Sequence, residues 1–155
     1  MTRNEETATD QTHEVVVVGG GPGGMTTALY TTRLNHDTAL VDRGGGRAAM
    51  MLDTHNVIGV TEENSGNEFL QTAREQLEYY GTELYRDTVT NIERTGEASP
   101  RFVVETGEQT LYTDAVVLST GFNDIRPEPP LPRTGRGLHW CLHCDAYMFR
   151  DESVY

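Results

Sequence analysis

The apolar positions of this chain change period several times, and each change marks an element. Residues 13–18 end in four consecutive valines, Val15 to Val18. A run of β-branched residues is a poor choice for a helix and suits a strand covered on both faces. A glycine cluster, Gly19-Gly20-Gly21-Pro22-Gly23-Gly24, stops the run, and residues 25–34, rich in Ala, Leu and Thr, are helix-compatible. Thr38-Ala39-Leu40-Val41 predicts a second strand, residues 48–51 a helical turn, and residues 53–64 an irregular polar stretch. At Ser65 the period becomes helical. Ser65 and Glu68 have capping-box spacing, Phe69, Leu70, Ala73, Leu77 and Tyr80 share one face, and Gly81 suits the C-terminal stop.

Beyond Gly81 the runs shorten. Residues 83–85, 88–92, 101–105 and 110–112 read as short strands, and turns at Thr95-Gly96-Glu97 and Thr106-Gly107-Glu108 make the later ones a small antiparallel meander. Residues 115–119 form another buried strand. Pro127, Pro129, Pro130 and Pro132 make residues 122–137 loop-like, a short helix candidate follows Asp145, and a new strand begins near residue 153. The order predicts an α/β fold, a parallel sheet plus a small antiparallel β-meander. Residues 1–12 read as a flexible tail, 13–126 as one unit, 127–137 as a linker, and 138–155 as the start of a second unit.

A length of 155 residues suffices for one domain with a real core. Net charge is −12, from 24 acidic and 12 basic residues, and every basic residue is an arginine. Without a basic patch the chain is not expected to bind nucleic acid or an anionic membrane. The lysine-free acidic composition is similar to that of proteins from extreme halophiles. No run of about eighteen apolar residues predicts a membrane helix. The N-terminus lacks the regions of a signal peptide, so a cytoplasmic location is expected.

The glycine cluster reads G-x-G-x-x-G through Gly19, Gly21 and Gly24, between a predicted strand and a predicted helix, as a dinucleotide-binding unit requires. Gly19 makes the tight turn, Gly21 lets the backbone approach a pyrophosphate, and Gly24 lets the helix pack on the strand. The second strand ends in Asp42, eighteen residues past Gly24, close to the ~20-residue spacing at which an acid meets a ribose hydroxyl.

Cys141-Leu142-His143-Cys144 is a C-x-x-C followed by Asp145. At a helix start, this spacing allows a small disulfide ring, backbone amides lower the thiolate pKa, and Asp145 is placed to move a proton. A redox-active dithiol is one reading. A zinc site using His139 and His143 with the two cysteines is a second, and two reduced cysteines without chemistry a third. Covalent haem attachment fails, because it requires histidine where Asp145 stands.

Together these motifs resemble the FAD-dependent pyridine nucleotide–disulfide oxidoreductases of thioredoxin reductase type, over nearly the whole chain. Gly19-Gly20-Gly21-Pro22-Gly23-Gly24 resembles the family's FAD pyrophosphate loop, and Asp42, followed by Arg43, sits where it keeps an acid for the adenosine ribose. Gly45-Gly46-Arg47 aligns with a Gly-Gly-Gln loop beside the flavin, and His55-Asn56-Val57-Ile58-Gly59 with Glu-Asn-Phe-Pro-Gly, whose asparagine lies near the flavin ring. Thr88-Val89-Thr90 resembles the strand whose backbone meets the adenine. Ser119-Thr120-Gly121, followed by Arg126-Pro127, resembles an Ala-Thr-Gly…Arg-Pro segment, and Cys141 to Asp145 resembles the Cys-Ala-Thr-Cys-Asp redox centre.

The resemblance implies a Rossmann-like FAD-binding domain, incomplete, with the start of an NAD(P)H-binding domain after it. It implies electron flow from NADPH to FAD to the cysteine pair, then to a thioredoxin-like dithiol protein or a small disulfide. Cys144 would face the flavin, Cys141 would attack the partner's disulfide, and Asp145 would be the general acid. Family members are usually homodimers. The chain departs from the pattern at Arg47, which replaces glutamine, in the Gly59 loop, which lacks the proline, and after Cys144, where no second G-x-G-x-x-G follows. It is therefore expected to be an N-terminal portion of such an enzyme; the alternative is a nucleotide-binding module with no catalytic cycle.

Overall fold

A computed structural model of the chain describes residues 10–123 and 146–153. Residues 1–9 of the expected tail, the 127–137 linker, and Cys141, Cys144 and Asp145 lie outside the described residues.

Strands β1 (Asp10–Val18), β2 (Thr38–Val41), β3 (Glu83–Tyr85), β4 (Val89–Arg94), β5 (Phe102–Thr106) and β6 (Thr110–Leu118) form one sheet in the order β3-β2-β1-β6-β5-β4. From β3 to β6 the pairs are parallel, and β5 and β4 add antiparallel. Helices α1 (Pro22–Arg33) and α2 (Gly66–Tyr80) make the crossovers from β1 to β2 and from β2 to β3. The valine run divides by parity, as a strand buried on both faces must. Val15 and Val17 pack with Met25, Ala28, Leu40, Leu70 and Leu77 under the helices, and Val16 and Val18 with Ala39, Val41, Val104 and Leu111 on the other face.

The capping box forms as the spacing requires. The Ser65 hydroxyl accepts from the Glu68 N–H, Glu68 reaches back to the Ser65 N–H at 2.8 Å, and Gly81 closes α2 with φ 90°. Of the predicted apolar face, Leu70 and Leu77 are buried and Phe69 and Ala73 partly so, whereas Tyr80 turns outward under the Arg33 guanidinium, 5.3 Å from its ring centre.

Three features differ from the sequence pattern. β1 begins at Asp10, inside the expected tail, because β6 supplies Thr110, Leu111 and Tyr112 as partners for Asp10, Gln11 and Thr12. The runs 110–112 and 115–119 are one strand. The polar residues between them look like a break, but Thr113 is buried and its hydroxyl donates to the Glu14 carbonyl at 3.0 Å. Finally, β3 joins the parallel edge rather than the meander, which consists of β4, β5 and the first half of β6.

β3 and β4 are opposite edges of the sheet, yet only Arg86, Asp87 and Thr88 join them. Such a link reaches about 14 Å, whereas a flat six-stranded sheet would separate its edges by about 24 Å. The sheet therefore curls, bringing the β5–β4 wing back toward the face that buries Val16, Val18 and Val104. Asp87 fastens the link by accepting from the N–H groups of Thr88 at 2.6 Å and Glu108 at 2.9 Å. Hydrogen bonding, from the Thr106 hydroxyl first and then from backbone N–H groups, holds its carboxyl below the ordinary 3.8. A value lower in the folded chain than in the unfolded one stabilises above about pH 4 and is lost as pH falls through the folded value. Thermal midpoints of the parent and Asp87→Asn are thus expected to differ at pH 7 and to converge below pH 4. A gap that persists into acid would show that the charge on Asp87 is not what fastens the link.

In the first half of β1, away from the glycine turn, His13 is buried and its two ring nitrogens are both engaged. Nδ1 meets Asp37 at 3.1 Å and Nε2 the Tyr85 hydroxyl at 3.0 Å. Burial first, and then Glu83 and Asp37, push the Tyr85 hydroxyl far above its ordinary range, so it stays protonated. This polar knot ties β1 to β3 and to the turn before β2.

Candidate functional site

Because β1, β2 and β6 run parallel, their carboxyl ends open on one edge, and the chain reverses its direction of travel across the sheet between β1 and β6. A crevice at such a switch point is where open α/β sheets bind ligands. Local sequence builds it. Gly19 takes φ +106° and lies so near the Ser119 carbonyl that no side chain fits. Gly24 lies against the Gly19 carbonyl with equally little room, which is what brings α1 down onto β1. At Gly20, a Cβ would stand 2.7 Å from that of Asp42. Gly21 faces open space.

Following every backbone N–H of the turn shows what the crevice offers. Gly19 donates to the Val41 carbonyl at 2.8 Å, Gly20 to the Asp42 Oδ1 at 3.0 Å, and Met25 to the Gly21 carbonyl at 2.9 Å. Pro22, the first residue of α1, has no N–H. No side chain caps this helix, and its first turn holds no acid. The N–H groups of Gly21, Gly23 and Gly24 are left without an acceptor among the described residues. Three free donors at the positive end of a 12-residue helix favour an anion. Asp42, half-buried beside them, keeps Oδ2 for a second donor such as a sugar hydroxyl.

The other predicted site residues take these places. Arg43 is exposed just past Asp42, and Gly44, Gly45 and Gly46 follow with φ of 82°, 79° and 85°. The Arg86 guanidinium lies against Gly44, which leaves a side chain there little space. Arg47 extends its guanidinium over the Phe122 ring, 4.7 Å from the centre, and so connects the loop leaving β2 with the loop leaving β6. Thr120 and Gly121, the latter at φ +70°, are exposed directly after Ser119. Gly19, Gly21, Pro22, Gly24, Asp42, Arg43, Gly46, Arg47, Thr120 and Gly121 thus share the carboxyl edge. Asn56 is on an exposed loop closed at its base by the Gly66 N–H to Met51 carbonyl bond of 2.9 Å, and Val89 opens β4 opposite Thr106. Sequence reasoning quoted Gly20 and Ser119 within their motifs but gave neither a role of its own; the contacts that assign one, to Asp42 and to Gly23 and Gly24, join segments far apart in the chain.

Comparison with known proteins assigns the family. The model of the pyridine nucleotide-disulphide oxidoreductases matches residues 13–151. The chain belongs to this family. A thioredoxin reductase of Streptomyces clavuligerus is 30% identical over 147 residues, covering 90% of this chain and 44% of that protein. A bifunctional thioredoxin reductase/thioredoxin of Mycobacterium leprae is 34% identical over 149 residues, covering 92% and 31%. Among solved structures, HlmI superposes with a TM-score of 0.81 at 31% identity, covering 92% of this chain and 46% of that one. A thioredoxin reductase from Gloeobacter violaceus gives 0.68 at 33%, covering 88% and 46%. The mixed six-stranded sheet is the Rossmann-like FAD-binding fold of such relatives, and the chain spans less than half their length. Among the described residues, no helix is long and apolar enough to cross a membrane.

Proposed function

We propose that this chain supplies the FAD pyrophosphate and adenosine site, and the redox-active dithiol, of a thioredoxin-reductase-type NAD(P)H:disulfide oxidoreductase. The observation that carries the proposal is the set of free N–H groups at Gly21, Gly23 and Gly24 beside a carboxylate already fastened to Gly20. Those glycines and Asp42 fit the pyrophosphate and ribose of a dinucleotide, and by family resemblance the backbone at Val89 would meet the adenine. FAD, when bound, supplies hydride acceptance from NAD(P)H and two-electron transfer to a disulfide.

The chain's own residues then act as follows. The Cys141 thiolate attacks one sulfur of the partner disulfide, forming a mixed disulfide and releasing the other sulfur as a thiolate, which takes a proton from Asp145. The Cys144 thiolate attacks Cys141, closing the Cys141–Cys144 disulfide and releasing the partner's second sulfur as a thiolate, which takes a proton from water to complete the dithiol. The partner is a thioredoxin-like protein or a small disulfide, the setting a reducing cytoplasm, and the full enzyme a homodimer.

The test is a visible absorption spectrum of the purified chain, taken in strong salt after incubation with FAD and removal of free ligand. A retained flavin spectrum of about one per chain is expected. A folded but colourless protein would overturn the proposal that these residues hold the cofactor. Retained flavin with cysteines that fail to exchange with a dithiol would instead favour a binding module.

A further inference from the structure

Ser119 sits at the centre of the crevice. Its N–H donates to the Val18 carbonyl at 2.8 Å, which locks it beside the start of the glycine turn. Its carbonyl lies against Gly19, its Cβ is 3.2 Å from where a Gly24 side chain would begin, and its Oγ is 3.2 Å from the corresponding point on Gly23. The hydroxyl is therefore beside Gly23 in the first turn of α1, the residue that carries one of the three free N–H groups.

A serine hydroxyl rotates to whichever acceptor is in reach, and three carbonyls of the first turn already accept other donors. The Gly21 carbonyl accepts from the Met25 N–H, the Pro22 carbonyl from the Thr26 hydroxyl at 2.7 Å, and the Gly23 carbonyl from the Thr27 hydroxyl at 2.9 Å. No hydrogen bond to the Ser119 hydroxyl is formed among the described residues. Three N–H donors also fall short of the four non-bridging oxygens of a pyrophosphate diester.

We propose that the Ser119 hydroxyl is a fourth donor to the cofactor's pyrophosphate, so that the anion is gripped from both sides of the switch point, by α1 and by the end of β6. This rests on the reading that the crevice holds a dinucleotide. A half-buried hydroxyl donates to a charged oxygen with less competition from water than an exposed one, and its place is set by the backbone bond to Val18 rather than by a flexible loop.

The experiment measures the affinity of FAD and of ADP for the parent chain and for Ser119→Ala, together with the thermal midpoint without ligand. The variant keeps the Cβ that packs on Gly24, so the midpoint should not move. Both ligands should bind about ten-fold more weakly, the size expected for one hydrogen bond to a charged group. Unchanged affinities, or a midpoint that falls with them, overturn the inference and leave the dinucleotide site standing. A parent chain that binds neither FAD nor ADP overturns both.

Discussion

Gly24→Ala is expected to destabilise the first strand–helix unit severely. The new methyl group would be driven into the Gly19 carbonyl, with the Ser119 Cβ 3.2 Å away on another side. Neither obstacle yields cheaply. Gly19 is held by its bond to the Val41 carbonyl and is itself wedged against Ser119, and the nearest atoms are backbone rather than the end of a flexible side chain. The remaining way out is for α1 to lift from β1, which uncovers Met25 and Ala28, both buried beneath it. Overpacking of this kind costs about 3 kcal/mol or more, which lowers the thermal midpoint of a chain this size by roughly 10 °C. A circular dichroism melt reads the effect, and a drop of under about 2 °C would mean that α1 stands farther from β1 than the structure places it.

Gly21→Asp is expected to do the reverse, preserving the fold and abolishing nucleotide binding. Gly21 is the N-cap of α1, with φ −79° and ψ 177°, a conformation that aspartate adopts readily, and a Cβ there meets nothing within 4 Å. Aspartate is a better N-cap than glycine by a few tenths of a kcal/mol, so the thermal midpoint should hold or rise slightly. The same carboxylate would bond the N–H groups of Gly23 or Gly24 and set a negative charge where the pyrophosphate belongs. Losing those charge-assisted donors and adding repulsion should weaken FAD more than about a hundred-fold. Titration of FAD against the folded variant checks this, and binding at the parent's affinity would remove the pyrophosphate from α1. Together the two glycine variants separate the fold from the site, because one glycine faces backbone and the other faces the crevice.

Much of the fold and of the crevice is legible in the order of residues alone. Val15 to Val18, Thr38 to Val41, the Ser65–Glu68 box and the Gly81 stop are local signals. Their information lies within a few residues, where steric preference and hydrogen bonding between near neighbours decide the outcome. Gly19, Gly21, Gly24 and Asp42 are legible for the same reason, since a tight turn and a helix start dictate their spacing. The reading of Cys141, Cys144 and Asp145 as a redox centre rests on sequence and kinship alone.

The tertiary structure decided what depends on residues far apart in the chain. Asp10 to Thr12 became strand because β6, a hundred residues later, offers them a ladder. Thr113 stays within a strand because Glu14 accepts its hydroxyl. β3 lies beside β2 rather than in the meander, and the short link through Asp87 then makes the sheet curl. Tyr80 falls on the predicted apolar face but turns outward under Arg33. Gly20 needs to be glycine because Asp42 leaves it no room, and Ser119 enters the crevice because β6 ends beside Val18. Short-range sterics and donors make the valine strand, the two helices and the phosphate-binding turn readable from the order of residues, though not the full extent of β1 and β6. Which strands became neighbours, and so which side chains line the crevice, followed only once distant segments competed to bury their apolar faces and satisfy their backbone groups.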